Sequence, residues 1–340
     1  MKKYAVYSLI GFALLQLSIV GCNPGDNQFE SLAKDSTLSA ETREWTKKID
    51  EYPNNAEYYA LRAEVFSNER RHKYAIADYD RAIVLNPQEV SYYYLKADAL
   101  FADDQTTSAL EAYEEAEDIN PSDQTAVFKH AQFLYFVRQF DKSKNIFGKL
   151  LQINPSHAQG NFFYGMVQKE SGDTAMAINY FQKTIALLGS DYNSSMQLAN
   201  LYAIQKNDTL ALQYYTNAIN IDPNSDEAYY SRGLFYQKQG DNKAALEDYQ
   251  KTIDINSKHY YAYYNAGNIL AEEGSLERAL EHFDICIGID PEFAKGYNRI
   301  GQCYELLGKK ELAQRNYERC LEIDPNFALA KEGLNRILKD

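Results

Sequence analysis

The sequence predicts an all-α solenoid, and three observations predict it: a proline ladder of constant step, a helical apolar period on both sides of a turn in every step, and a fixed order of small and aromatic residues. Prolines stand at Pro53, Pro87, Pro121, Pro155, Pro223, Pro291 and Pro325, every gap being 34 residues or a multiple of it, and Gly189 and Ser257 fill the missing steps. Eight units of 34 residues therefore run from Ala56 to Phe327 in a chain of 340. With Ala56 as position 1, position 8 reads Ala63, Ala97, Ala131, Gly165, Ala199, Gly233, Gly267 and Gly301. Position 20 reads Ala75, Ala109, Ser143, Ala177, Ala211, Ala245, Ala279 and Ala313, and position 24 is Tyr or Phe in every copy. Small residues at 8 and 20 let two helices approach closely, and the ring one turn further fills the space beside them.

The breaks between helices follow from backbone chemistry. Gly172, Gly240, Gly274 and Gly308 hold position 15, where a positive φ ends the first helix of a unit. Asn or Asp before Pro ends the second helix in six units, because proline disfavours the helical region for its predecessor and has no N–H to donate. Each unit is thus a helix, a turn and an antiparallel helix. Trp45 and Ile49 lie 34 residues ahead of Tyr79 and Ile83, so residues 38–55 read as an N-terminal capping helix, from about Leu38 to Glu51. Residues 328–340 read as the C-terminal cap, with Ala330, Leu334, Ile337 and Leu338 on one apolar stripe and Lys331, Glu332, Asn335, Arg336 and Lys339 on the other side. The unit beginning at Gln124, with His130 and Ser143 at usually apolar or Ala positions, and the next, which ends at Gly189 without proline, read either as a looser joint or as tolerated drift.

The first 21 residues read as a targeting segment: Lys2 and Lys3, then an apolar stretch from Ala5 to Val20. Its end, Ile19-Val20-Gly21-Cys22, resembles the bacterial lipobox, which implies lipid on the Cys22 thiol and cleavage just before it; an ordinary secretory signal that happens to hold a Cys is the other reading. Residues 22–37, the lipidated Cys and a segment rich in Asn, Gly, Ser and Asp, read as a flexible tether. The mature protein is then expected in the bacterial cell envelope, lipid-anchored, at the outer membrane before the inner.

The array resembles tetratricopeptide repeats, whose pattern places an aromatic, Leu-Gly, Tyr, Ala, an aromatic and Pro at these offsets. The best copies are Tyr229-Tyr230-Ser231-Arg232-Gly233 with Tyr236, and Tyr297-Asn298-Arg299-Ile300-Gly301 with Tyr304. The resemblance implies a right-handed superhelix whose first helices line a concave groove. Position 5 of the first helices reads Ala60, Tyr94, Phe128, Phe162, Met196, Tyr230, Tyr264 and Asn298. The six large apolar groups from Tyr94 to Tyr264 read as a row of partner anchors, or as surface filler packed on neighbouring helices. Asn265, Asn268, Lys295 and Arg299 resemble part of the carboxylate clamp of some family members, but Tyr230 and Leu234 stand where that clamp has Lys and Asn. A general polar contact region or a solvated face is the alternative.

Composition narrows the function. With 35 basic against 48 acidic residues the net charge is −13, and no basic stripe is present, which excludes nucleic acid as the expected ligand. The five histidines, His72, His130, His157, His259 and His282, show no metal-ligand spacing, and there is no phosphate loop or nucleophile elbow. Neither cofactor nor metal is implied. Cys286, Cys303 and Cys320, an odd number at intervals of 17, match no zinc signature and read as small core residues; whether any two form a disulfide stays open. Signal, tether, caps and repeats leave no stretch for a catalytic domain. The expectation is a non-enzymatic protein-protein interaction adaptor holding a protein or peptide in its groove, with a glycan- or peptidoglycan-associated module using stacked aromatics as the alternative.

Overall fold

The computed structural model describes residues 37–339, and the signal, Cys22 and tether to residue 36 lie outside the described residues. Among the described residues stand eighteen α-helices and no strand: α1 (Ala40–Glu51), α2 (Ala56–Asn68), α3 (His72–Leu85), α4 (Val90–Ala102), α5 (Thr106–Ile119), α6 (Gln124–Phe136), α7 (Phe140–Ile153), α8 (Ala158–Glu170) and α9 (Thr174–Leu188). The series continues with α10 (Tyr192–Ile204), α11 (Asp208–Ile221), α12 (Asp226–Gln239), α13 (Asn242–Ile255), α14 (Tyr260–Glu272), α15 (Leu276–Ile289), α16 (Ala294–Leu306), α17 (Lys310–Ile323) and α18 (Ala328–Lys339). The predicted all-α solenoid class is the observed one. None of these helices is long and apolar enough to cross a membrane. By compactness the chain falls into two units, one ending at Phe133 and the other beginning at Leu134.

The same local chemistry recurs at six of the eight joints. Asn120, Asn154, Asp222, Asn256, Asp290 and Asp324 each accept a hydrogen bond from the backbone N–H two residues on, closing the turn between units. Where Gly189 replaces proline, it ends α9 at φ 79°, so a glycine brake stands in for the proline one. Position 15 is left-handed in every unit: Gly172, Gly240, Gly274 and Gly308 take 82°, 81°, 78° and 68°. Arg70, Asp104, Arg138 and Lys206 take the same region at 58°, 61°, 60° and 59°, which sequence does not announce because none is glycine.

In the unit ending at Phe133, Ser39 caps α1 by accepting from the Thr42 N–H at 3.1 Å, so the helix starts two residues after Leu38, which is buried against Ala63 and Phe66. Tyr79 and Tyr113 lie buried in the core of their units. Below them Arg62 donates from two nitrogens to both oxygens of Asp78 at 2.7 Å each, and from a third to Thr46 Oγ1 at 3.1 Å. Burial pushes the Asp78 carboxyl up, against the lowering pull of Arg62. His130, buried, meets Glu117 at 2.8 Å and stacks on Tyr113, so this odd residue has a partner inside its own unit.

In the unit from Leu134 the buried rings are Phe147, Phe181, Tyr215, Tyr249, Phe283 and Tyr317. A Cβ on Gly267 would stand 2.6 Å from Phe283 and one on Gly301 2.7 Å from Tyr317, so these glycines are the contact points of paired helices. Arg232, Asp248 and Thr216 repeat the Arg62 arrangement at 2.8, 2.8 and 3.2 Å. The terminal helix α18 buries Ala330 and sets Gly333 against Tyr317, while Leu334 and Ile337 are half-covered. Leu338 is 62% exposed, a correction to the apolar stripe drawn from sequence: of the last turn, Ile337 faces the array and Leu338, one residue or about 100° round the helix, faces solvent. Cys286, Cys303 and Cys320 are buried free thiols.

Candidate binding groove

The first helix of a unit leaves positions 2, 6, 9 and 13 exposed or half-buried along one side, with position 5, half-buried or buried, beside them. Position 5 sits nearest the second helix, and that decides how much of each anchor remains open. In the first unit Tyr94 and Phe128 are half-buried. Lys129 stands over the Tyr94 ring at 5.6 Å and also pairs with Asp98, which accepts from the Tyr113 hydroxyl. That network is closed on itself.

In the second unit Phe162 packs on Phe181 with centroids 5.6 Å apart, Tyr230 on Tyr249 at 5.9 Å and Tyr264 on Phe283 at 5.9 Å. Each contact joins position 5 to position 24 of the same unit, and these rings are half-buried. Met196 is only 5% exposed and belongs to the core with Leu198 and Tyr215, which corrects its place among the anchors: a flexible, unbranched side chain has folded into the gap between helices. Asn265 donates to the Tyr230 hydroxyl at 3.1 Å and is occupied in holding that ring.

Beyond this row lies a pocket that brings Tyr264, Asn268, Lys295 and Arg299 together with Asn298 and Gln302, between α14, α16 and the start of α18. Asn268 Oδ1 accepts from Arg299 Nε, Gln302 Oε1 accepts from another Arg299 nitrogen at 3.0 Å, and Glu272 lies 3.7 Å from a third. The guanidinium is therefore fixed in orientation. Lys295 is exposed and, among the described residues, has no carboxylate within ion-pair distance. Asn298 is 3% exposed, and its Oδ1 accepts no hydrogen bond. A second pocket, between α10, α11 and α12, is lined by Ala203, Ile204, Leu234 and Phe235. Ile204, Leu234 and Gln302 are not among the site residues expected from sequence. The signal available was helical spacing, since positions 9 and 13 lie one and two turns beyond position 5 on the same face.

Four of the histidines are engaged in structure. His157 and His259 cap α8 and α14 by accepting from the N–H groups of Gly160 and Ala262, His130 meets Glu117, and His282 Nδ1 bonds the Arg278 carbonyl oxygen. Among the described residues no three His, Cys, Asp or Glu side chains converge as metal ligands would.

Models described as tetratricopeptide repeat or TPR repeat match residues 61–124, 199–240, 226–259, 260–293 and 294–327. No curated protein matches the sequence. Among solved structures, the C-terminal part of a TPR repeat-containing protein from Cytophaga hutchinsonii is 19% identical with a TM-score of 0.62, covering 72% of this chain and 99% of that one. MamA is 26% identical with a TM-score of 0.45, covering 48% of this chain and 96% of its own. YrrB, a TPR protein with an unusual peptide-binding site, is 23% identical with a TM-score of 0.46, covering 54% of this chain and 95% of its own. The first of these likenesses shows the fold.

Proposed function

Because the chain belongs to the tetratricopeptide repeat family, we propose that it is a non-enzymatic scaffold that holds a peptide or protein segment on its first-helix faces, tethered to a bacterial envelope membrane by lipid on Cys22. The observation that carries the reading is the pocket of Asn268, Lys295, Arg299 and Gln302, where an unpaired cation stands beside an oriented guanidinium on a chain of net charge −13. Glu272 lines the same pocket 3.7 Å from Arg299, so Lys295 is the cation there left without an ion pair, and it favours a partner's carboxylate. Tyr264 lines the same pocket, and the half-buried Tyr94, Phe128, Phe162 and Tyr230 supply apolar contact elsewhere on the first-helix faces. The carboxylate-clamp comparison extends to Asn265, Lys295 and Arg299 only in part, since Asn265 is bound to Tyr230 and Leu234 offers no donor.

A glycan module would need open ring faces for sugars to lie on. The position 5 rings are half-buried and tilted against their neighbours, which favours the protein partner. Two measurements test the proposal. Cys22→Ser should move the protein from membranes to the soluble fraction without changing its circular dichroism, and persistence at the membrane would refute the anchor. Affinity capture from envelope extract, run beside soluble peptidoglycan fragments, should retain protein whose recovery drops when Lys295 and Arg299 are both replaced by Ala. Retention of glycan alone would refute the scaffold.

A further inference from the structure

The longest run of basic residues in the sequence, Arg70-Arg71-His72-Lys73, forms the turn between α2 and α3, where the fold meets the segment leading back to Cys22. We infer that this turn is a membrane-facing surface that rests on the phosphate headgroups of anionic lipid and holds that edge of the first unit against the bilayer. The inference rests on the lipid-anchor reading above and adds to it a second, electrostatic contact made by the folded part.

Side-chain contacts put the turn at the point where the chain enters the fold. Helix α1 runs away from Leu38 and α2 runs back, so the α2–α3 turn returns to the level of Ser39. Thr42 Oγ1 donates to Glu69 Oε1 at 3.3 Å, and Leu38 shares a core cluster with Phe66. The Arg71 guanidinium lies over the same Phe66 ring at 5.5 Å and over Tyr74 at 4.7 Å. The backbone is fixed as well, since the Arg71 N–H donates to the Phe66 carbonyl oxygen at 2.8 Å and the Arg70 N–H to that of Ser67 at 3.0 Å. Arg70 and Lys73 are exposed, and no carboxylate of the described residues lies within ion-pair distance of either. Cys22 precedes Leu38 by sixteen residues, which span at most about 55 Å, so a lipid on Cys22 keeps the turn close to the membrane.

These cations work against the fold that carries them. Positive charge is disfavoured at the start of a helix, whose free N–H groups already make that end positive. Helices α7, α11, α15 and α17 carry an acid in the first turn, and Asp173 and Asp241 cap α9 and α13. Helix α5 has neither device but begins on neutral residues. Helix α3 also has neither, and it begins with Arg71 at the N-cap followed by His72 and Lys73. Arg70 adds left-handed backbone at φ 58°. At the corresponding positions 14 to 18 no other unit holds more than two Lys or Arg residues. Cations kept at a cost to local structure, on a chain of net charge −13, point to an anionic surface outside the fold. Glu41 on α1 and Asp103 and Asp104 at the next turn bound the patch, and Glu69 is occupied by Thr42, so the favourable approach is through the turn itself. Each Lys or Arg near an anionic bilayer strengthens the contact about fivefold. Once the chain is anchored the contact is intramolecular, and a few such charges suffice.

The test joins the chain beginning at Cys22, through that thiol, to a maleimide-bearing lipid in vesicles of phosphatidylcholine with or without phosphatidylglycerol. Cys286, Cys303 and Cys320 are buried, so attachment is at Cys22. Amine acylation read by mass spectrometry should find Lys73 slowed about threefold or more by phosphatidylglycerol, with the exposed Lys251 on α13 unchanged. Salt at about 0.5 M should erase the difference. Arg70→Asn, which suits left-handed backbone, should shrink the protection of Lys73 without lowering the melting temperature, and Arg70→Glu should remove it. Equal Lys73 rates on the two vesicles, protection that survives salt or Arg70→Glu, or equal slowing of Lys251 overturns the inference. So does soluble glycerol phosphate that slows Lys73 as much as the lipid does, since the site would then read free phosphate and not a surface. A lower melting temperature for Arg70→Asn would make the turn structural and count against it too. Because the attachment is chemical, the outcome does not depend on lipidation in cells: Cys22→Ser that stays at the membrane defeats the anchor, and equal Lys73 rates defeat the basic surface.

Discussion

Arg62 and Asp78 share two hydrogen bonds of 2.7 Å in a site where both side chains are withdrawn from water, and Arg232 and Asp248 make the same pair at 2.8 Å five repeat lengths later. Each arginine also reaches a threonine on the helix that precedes its unit, Thr46 on the capping helix α1 or Thr216 on α11, so the pair fastens each of these two units to what comes before it. Breaking a buried pair leaves a charge without compensation, which costs about 3–5 kcal/mol. Arg62→Ala and Asp78→Ala should each destabilise the first unit by that order, measured by urea unfolding. Arg232→Ala should cost less, because its guanidinium is less covered. The double change Arg62→Met, Asp78→Leu should recover much of the loss; recovery no better than either single change would contradict the desolvation account.

Left-handed backbone at four charged residues is stored strain of a removable kind. Glycine adopts that region without the Cβ clash that costs other residues about 1–2 kcal/mol, though it loses about 0.5–1 kcal/mol in unfolded-chain freedom. Arg70→Gly, Arg138→Gly and Lys206→Gly should each raise stability by about 0.5–1 kcal/mol, with Asp104→Gly gaining least because Asp tolerates the region better. Gly240→Ala should lose a similar amount although nothing stands within 4 Å of the added methyl. Thermal melts of the single variants decide it.

Glycines inside helices divide by what a methyl group would strike. At Gly267 and Gly333 the added Cβ lies 2.6 Å from Phe283 and 2.4 Å from Tyr317, so Ala should destabilise by about 1–3 kcal/mol through overpacking. At Gly148 nothing lies within 4 Å, and Ala there should stabilise α7 by roughly 0.5–1 kcal/mol. Equal effects at Gly267 and Gly148 would mean that backbone freedom, and not ring contact, sets the position 8 pattern.

Much of this organisation is legible from the chain alone. The 34-residue step, the small residues at 8 and 20 and the ring at 24 are periodic, and periodicity survives without coordinates. What period cannot reveal is depth. Met196 and Tyr264 occupy the same position, yet Met196 sinks among Leu198 and Tyr215 while Tyr264 stays half-buried and lines a pocket. Shape and flexibility of the individual side chain decide that. The Arg62–Asp78 pair was hidden for another reason: its partners lie 16 residues apart on antiparallel helices, and only two of the eight units carry it. Asn265 shows the reverse error, a residue with the right spacing for a ligand that is already bound to Tyr230.

The buried thiols give a pH dependence with a definite sign. Burial pushes Cys286 up to about 12 and Cys320 up to about 11, above the ordinary thiol value of 9.0. From about pH 9 upward the unfolded chain loses these protons while the folded one keeps them, so stability is full below that pH and falls as pH rises toward the folded values. Each such thiol adds at most about 1.4 kcal/mol per pH unit to the slope. Cys286→Ala, Cys320→Ala should melt with a shallower alkaline decline than the parent. Both thiols should react with a maleimide at pH 8 only as fast as the unit unfolds; prompt labelling would show that the site is open.

The account stands most directly on where a partner touches the molecule. A photo-reactive amino acid placed at Leu234 or Lys295 on the first helices, and at Lys251 on the second helix α13, reads this in living cells. Discrete protein adducts from Leu234 and Lys295, with none from Lys251, are the predicted result. Adducts from Lys251 alone, or none from any of the three while the protein is present and folded, would contradict it.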